Sequence, residues 1–199
     1  YRYPGDSEPT IIGDHAIIRS GSVIYANTRI GHRFQCGHHV LIRGEISIGD
    51  RCVVHHKCTL EGRITIGRGV KIMAHVYLPS TTKIGNMVFI GPGTTFLNAK
   101  YPMRQDGVQG ATIEDGVTIG GGVTVCPGVT IGRNAFIGAG SLVNKDVPAD
   151  TLAYGVPATF HPLPESLAAG NQSEQLLPQT DLFGAQQDDS WRSESLPGS

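Results

Sequence analysis

The sequence predicts an all-β fold built as a parallel β-helix. Three observations carry that expectation: an unbroken six-residue period of apolar positions, an eighteen-residue period of glycines, and alternation of inward and outward residues inside each six-residue unit. Every sixth residue from 12 to 96 is apolar: Ile12, Ile18, Ile24, Ile30, Cys36, Ile42, Ile48, Val54, Leu60, Ile66, Ile72, Leu78, Ile84, Ile90 and Phe96. The series resumes at Ile113 and runs through Ile119, Val125, Ile131, Ile137 and Val143. All 21 positions are apolar in a chain that is 39% hydrophobic, where about eight would arise by chance.

Each hexad reads as a short strand. Two residues before the periodic position stands a second small or β-branched residue, as at Ala16, Ser22, Thr28, Val40, Cys52, Val70, Val88, Val117 and Val129. Two side chains therefore point inward with one outward residue between them, which is strand alternation. Gly13, Gly31, Gly49, Gly67 and Gly85 recur every eighteen residues, so three hexads make one coil of triangular section. A glycine after the inward Ile suits a corner that needs either a positive φ or close approach of two chains. Stacked coils bury their inward residues on one another, so the unit is stable only as an array. Five coils fit residues 10–99 and two more fit 111–146, about seven in all. Between them lies one inserted loop, AKYPMRQDGVQG, near 99–110. From Phe96 to Ile113 is 17 residues, five more than two hexads. A solenoid accommodates such an excursion as a surface loop, and loops of this kind carry function.

The expected organisation is a lead-in over 1–9, the β-helix over 10–158, and a polar tail over 159–199. Residues 1–158 hold 15 Lys and Arg against 11 Asp and Glu, while the tail holds Arg192 against six acids. The body is +4 and the tail −5. A body charge of that size does not argue for nucleic acid, and no apolar run is long enough to span a membrane. The opening YRYPGDSEPT carries no apolar signal stretch. Cys36, Cys52, Cys58 and Cys126 show no CxxC spacing and sit in apolar slots, which reads as free thiols in a reducing compartment, the cytoplasm. The tail is rich in Gln, Ser, Asp and Pro and is expected to be disordered, with LLPQTDLF as a candidate partner motif.

From its repeat, and from the stretch IGGGVTVCPGVTIGRNAFIGAGSLVNKDVP with the closing AYGVPA, residues 10 to about 158 resemble the left-handed β-helix hexapeptide-repeat acyltransferases. FLNAKYPMRQ at the loop and CGHHVLIRGE upstream are most similar to the subgroup that N-acetylates amino sugars carried on nucleotide diphosphates. The resemblance implies a left-handed coil, a homotrimer, and acetyl-CoA or another acyl-CoA as co-substrate, with no metal. The acceptor it implies is a small amine on a nucleotide sugar. Family members acting on hydroxyls usually place a His-Pro pair in the loop, where this chain reads Lys100, Tyr101, Pro102. A hydroxyl attacking a thioester needs strong general-base help and an amine needs less, so the substitution favours an amine.

Folding the sequence onto the coil places His38, His39, His55, His56 and His75 on one corner of three successive coils, where neighbours in a column can hydrogen-bond. These imidazoles either line a polar edge or include a base, His75 being the candidate, with His38 and His56 as substrate contacts. The next corner carries Arg43 over Glu61 and Glu45 over Arg63, read as structural charge ladders, and then Asn98. Asn98 is a candidate catalytic residue binding a substrate hydroxyl or the acyl oxygen, or else simply turns the chain into the loop. Tyr101 and Arg104 project from that loop as candidate acceptor contacts. Gly120, Gly121, Gly122, Gly138 and Gly140 thin the late coils so that a pantetheine arm can lie against the backbone, making Gly121 and Ala139 candidate donor contacts. Lys145 and Arg133 either meet coenzyme A phosphates, a role the resemblance supports for Lys145, or stay as solvated charges. Competing readings are an O-acetyltransferase, a non-catalytic scaffold, and a metalloenzyme like the γ-class carbonic anhydrases. In the last, His39 and His75 would be ligands, with Ser80 standing where a third histidine is expected.

Overall fold

The computed structural model describes residues 8–101 and 107–168 of the 199. Two- and three-residue strands succeed one another along three faces, and each strand pairs in parallel with the one a coil earlier. The first and third faces have seven strands each, and the second has nine. The register is the eighteen-residue period itself: Arg29 pairs with Ser47, Gln35 with Val53, and Leu41 with Thr59.

From Ile30 onward the inward positions form one continuous core, while Ile12 and Ile18 of the first coil, which has no coil before it among the described residues, are exposed. Ile42, Leu60 and Leu78 on the third face are fully buried, as are Ile72 and Ile90 on the second. At roughly 25 cal/mol per Å² of apolar surface, each such Ile or Leu contributes on the order of 2 kcal/mol, and each needs the coils on both sides to do so. Four of the buried inward positions carry hydroxyls, and each hydroxyl donates to a backbone carbonyl. Thr28 Oγ1 donates to Tyr25 O at 2.8 Å, Thr82 Oγ1 to Pro79 O at 2.7 Å, Thr94 Oγ1 to Gly120 O at 2.9 Å and Ser141 Oγ to Gly138 O at 2.6 Å. Cys36, Cys52 and Cys58 are buried free thiols, and burial pushes Cys52 up to about 12 and Cys58 up to about 11.

The corners separate the two glycine requirements. The glycines of the eighteen-residue period are there for close approach: a Cβ on Gly49 would lie 2.8 Å from the backbone of Gly67, and one on Gly67 2.6 Å from Gly85 O. The positive φ falls two residues later, mostly on residues other than glycine, such as Arg33 (56°), Arg51 (56°) and Met87 (54°).

The details of the array differ from expectation in three places. The loop is longer than counted, because Lys83 pairs with Thr112, 29 residues on, where Thr65 pairs with Lys83, 18 residues on. The insertion is therefore 29 minus 18, or eleven residues, and not five. The strand Thr95–Phe96 lies on the third face and Thr112–Ile113 on the first, only one hexad step apart. A partial eighth coil follows the seven, with Ile131 bridging Val147 and Thr151–Gly155 pairing with Phe136–Ile137. Finally, residues 159–168 do not leave the fold. Ala158–Pro162 returns antiparallel on Thr151–Gly155, and Glu165–Ala168 forms a helical turn. This hairpin covers the last rung, where Ala153 is fully buried. The rest of the expected tail, and Pro102 and Arg104 of the loop, lie outside the described residues.

Candidate functional site

The second corner, between the second and third faces, changes character along the solenoid. In the early coils it is imidazole. Ser20 Oγ and His38 Nδ1 lie 2.9 Å apart one coil from each other. His55 and His56 meet edge to face with ring centroids 6.3 Å apart, and His56 meets His75 the same way at 5.8 Å and 85°. His38, His56 and His75 are exposed, while His55 is half-buried and its burial, with His56 beside it, lowers its pKa from 6.5. His39, Lys57 and His75 hold the positive-φ position at 57°, 58° and 61°, and the His39 ring lies over Gly21 of the coil before.

One coil past His75 the same corner turns to glycine and small residues: Gly91, Pro92 and Gly93, then Gly120, Gly121 and Gly122, then Gly138, Ala139 and Gly140. The N–H of Gly93 donates to Ala74 O at 2.9 Å, that of Gly122 to Pro92 O at 2.8 Å, and that of Gly140 to Gly121 O at 2.9 Å, so the wall is continuous from coil to coil. Nothing lies within 4 Å of where a Cβ would stand on Gly93, Gly122 or Gly140. The result is a bare backbone strip beginning one rung beyond the last imidazole, which can face a narrow chain with amides and carbonyls. The strip ends at Tyr154, whose ring stacks on His161 at 4.5 Å and 16°. Tyr154 follows Ala153 as Gly138 follows Ile137, so continuing the column through the eighth coil would have found it.

Asn98 stands on the third corner, at the root of the inserted loop. Its Nδ2 donates to Ser80 O at 3.3 Å, and its carbonyl accepts the N–H of Gln109 at 2.8 Å, which closes the loop. Tyr101 is exposed, with Lys100 Nζ 5.7 Å from its ring centre. Lys145 is exposed on this third corner in the seventh coil. The structure thus brings His38, His56, His75, Gly121 and Ala139 onto one corner, and Asn98, Tyr101 and Lys145 onto the next. Within a single chain the two sets lie at opposite edges of the third face. Of the two expected charge ladders one is closed, with Arg43 Nη1 2.6 Å from Glu61 Oε2. Among the described residues no ion pair joins Glu45 and Arg63, and no three His, Cys, Asp or Glu side chains gather as a metal site. Nor is any helix among them long and apolar enough to cross a membrane.

The family pattern described as "Bacterial transferase hexapeptide (six repeats)" matches residues 110–145, which include Gly120, Gly121, Gly122, Gly138 and Gly140 of the glycine strip. The chain belongs to the hexapeptide-repeat transferase family. The bifunctional protein GlmU of Thermodesulfovibrio yellowstonii is 34% identical to this hexapeptide-repeat chain over 144 residues, 72% of this chain and 30% of GlmU. The chain therefore spans under a third of the length of the curated relatives it matches. Among solved structures, the UDP-N-acetylglucosamine acyltransferase of Francisella novicida shares the fold, with a TM-score of 0.70 at 20% identity over 80% of this chain and 62% of that one. A hexapeptide-repeat acetyltransferase of Vibrio cholerae complexed with acetyl coenzyme A is 35% identical over 55% of this chain and 70% of that one, with a TM-score of 0.47.

Proposed function

We propose that this hexapeptide-repeat protein is an acyl-CoA-dependent N-acyltransferase, with acetyl-CoA as donor and the amine of a nucleotide-diphosphate-linked sugar as acceptor. The observation that carries the reading is the run of the second corner from imidazole to bare backbone. A pantetheine arm laid along Gly121 and Ala139 puts its thioester at the last imidazole, His75. The amine nitrogen attacks the thioester carbonyl, the C–N bond forms and the C–S bond breaks. His75 takes the proton the nitrogen sheds and returns it to the departing thiolate, so the products are amide and free thiol. Asn98 Nδ2 and the loop side chain of Tyr101 hold the acceptor.

The active form in this reading is a homotrimer. His75 and Asn98 sit on different corners of one chain, so a complete site needs the second corner of one protomer against the third corner of its neighbour, with Lys145 reaching the donor phosphates across that boundary. The amine is preferred to a hydroxyl because Lys100 and Tyr101 stand where the hydroxyl-acylating members keep a His-Pro pair.

The test is release of thiol from acetyl-CoA against a panel of amino and hydroxy sugars, free and nucleotide-linked, with light scattering on the same sample. Amide formation on a nucleotide-linked amino sugar by a 64 kDa species, three times the 21.2 kDa chain, is the expected result. Ester formation, no turnover with any acceptor, or a stable monomer would each overturn part of the reading.

A further inference from the structure

The third corner carries a feature that Asn98 does not account for. Its middle positions run Ala26, Gly44, Gly62, Ser80 and Asn98, one per coil. Gly44 and Gly62 are fixed by packing, since a Cβ on either would lie 2.9 Å from the carbonyl oxygen of Ala26 or Gly44 in the coil before. Their consequence is a trench with a bare floor leading up to the loop. A cavity of about 240 Å³ follows it, lined by Arg43, Glu45, Glu61, Gly62, Arg63 and Ser80. A second, of about 380 Å³, opens beside it onto the first face, with Arg29, Glu45, Ser47, Arg63 and Thr65 in its lining.

The charges along the trench are not paired as a simple ladder would pair them. Arg43 and Glu61 occupy the first position of their corners and meet at 2.6 Å. Glu45 and Arg63 occupy the third position, at φ 60° and 59°, and among the described residues no ion pair joins them. Arg29 and Arg63 are both exposed, and among the described residues neither enters an ion pair. Between them the outward hydroxyls of Ser47 and Thr65 lie in strict register, Arg29 beside Ser47 and Ser47 beside Thr65. The patch therefore offers two unspent guanidinium forks bracketing two hydroxyl donors over two rungs, roughly 10 Å. Guanidinium and hydroxyl donors in that arrangement suit two linked phosphates better than one, because donors spread over two rungs outreach the oxygens of a single phosphate.

From this bracket to the acceptor end the distance is also set by the coil. Arg63 is in the third coil and Asn98 in the fifth, so a molecule anchored at Arg63 and lying over Gly62 and Ser80 advances two rungs, again roughly 10 Å. That is the order of the reach from a diphosphate across one hexose. The geometry points to a diphosphate subsite formed by Arg29, Ser47, Thr65 and Arg63, which holds the nucleotide end of the acceptor while its sugar lies along the trench toward Asn98. The inference rests on the acyltransferase reading for the identity of the sugar end; the subsite itself is a property of the exposed patch. Glu45, the one carboxylate at the mouth of both cavities, opposes the second phosphate and limits affinity for anions that lack the sugar.

Titration calorimetry of the full chain with inorganic pyrophosphate tests the subsite without any turnover. Wild-type protein is expected to bind pyrophosphate with an affinity that falls as salt rises. Arg29→Ala and Arg63→Ala should each weaken binding at least fivefold, the double variant should abolish it, and Glu45→Gln should tighten it; melting temperatures serve as the folding control for these exposed positions. No pyrophosphate binding, or binding indifferent to both arginines, would overturn the inference. In kinetics, Arg63→Ala should raise KM for a nucleotide-linked amino sugar at least fivefold and leave KM for acetyl-CoA unchanged; a donor KM that rises equally would count against it. Thiol release with an amino sugar that lacks the diphosphate tests the acyltransferase reading separately. Release without pyrophosphate binding removes the subsite and keeps the enzyme, whereas pyrophosphate binding without release or coenzyme A binding keeps the anion site and removes the enzyme.

Discussion

Two neighbouring glycines of the proposed donor strip, Gly120 and Gly121, separate structure from binding in a single pair of substitutions. A methyl on Gly120 would lie 2.5 Å from the backbone nitrogen of Ala139 and 2.7 Å from its Cα, and neither atom can yield without moving the seventh coil. Opening that contact to an ordinary separation near 3.5 Å strains the rung in which Gly120 N–H donates to Ile137 O at 2.8 Å. Overpacking of this kind costs about 1–3 kcal/mol, and one weakened backbone hydrogen bond adds about 1 kcal/mol, so Gly120→Ala should lose about 2–4 kcal/mol. For a chain of this size that is a fall in melting temperature of roughly 5–15 °C. A methyl on Gly121 meets only Pro92, at 3.1 Å from its carbonyl oxygen and 3.3 Å from its ring. A shift of a few tenths of an ångström relieves it, and the loss of chain freedom in the unfolded state offsets about 0.4–1 kcal/mol of any strain, so Gly121→Ala should melt within about 2 °C of wild type. The methyl does, however, stand on the strip where the pantetheine arm is proposed to lie. Coenzyme A binding by calorimetry should weaken about tenfold for Gly121→Ala. Scanning calorimetry that found Gly120→Ala as stable as wild type would refute the packing argument, and unchanged coenzyme A affinity in Gly121→Ala would refute the placement of the donor.

Further outcomes follow from the same geometry. Asn98→Ala should lower kcat at least tenfold with coenzyme A affinity within twofold of wild type, since its Nδ2 stands at the loop root and away from the glycine strip; weakened coenzyme A binding would contradict it. His75→Ala should lower kcat at least 100-fold, the usual scale for loss of a general base, and a loss under tenfold would mean the amine sheds its proton without this imidazole. The pKa of His55 is lowered in the folded chain, mainly by burial and then by His56, so below its ordinary 6.5 the unfolded chain binds the proton more readily than the folded one. That contribution to stability is complete above about pH 6.5 and is lost as the pH falls toward the lowered value; the melting temperature of His55→Gln should therefore change less between pH 7 and pH 5 than that of wild type, and an equal slope would refute it. A chain ending at residue 157 should melt at least about 5 °C below one ending at 168, because it loses the strand Ala158–Pro162 that covers the last rung; equal melting temperatures would show that the hairpin is an ornament.

The core was legible in the sequence because each inward position answers to one requirement, an apolar side chain at a fixed interval, and the interval survives from Ile12 to Val143. The loop length was not, because a six-residue count is blind to which of three faces the chain resumes on, and only the pairing of Lys83 with Thr112 decides that. The end of the fold was missed for a related reason: Ala158–Pro162 is antiparallel and obeys no hexad. The site shows where column arithmetic holds and where it stops. It placed five histidines on one corner correctly, yet it treats all three corner positions alike, whereas the backbone does not. First and middle positions stack, as Arg43 on Glu61 and Ser20 on His38 do. Third positions sit at φ near 60°, and what they reach depends on the side chain: Asn134 Nδ2 donates to Asp150 Oδ1 one coil on at 2.9 Å, whereas among the described residues no ion pair joins Glu45 to Arg63 and His75 meets the ring of His56 in the adjacent column. The consequence is functional as well as structural. The positive-φ position leaves His75 exposed beside the glycine strip, and the same position on the next corner leaves Arg63 exposed beside the trench. The two groups proposed for proton transfer and for phosphate binding thus share one backbone conformation, and in the proposed trimer their corners meet across a protomer boundary.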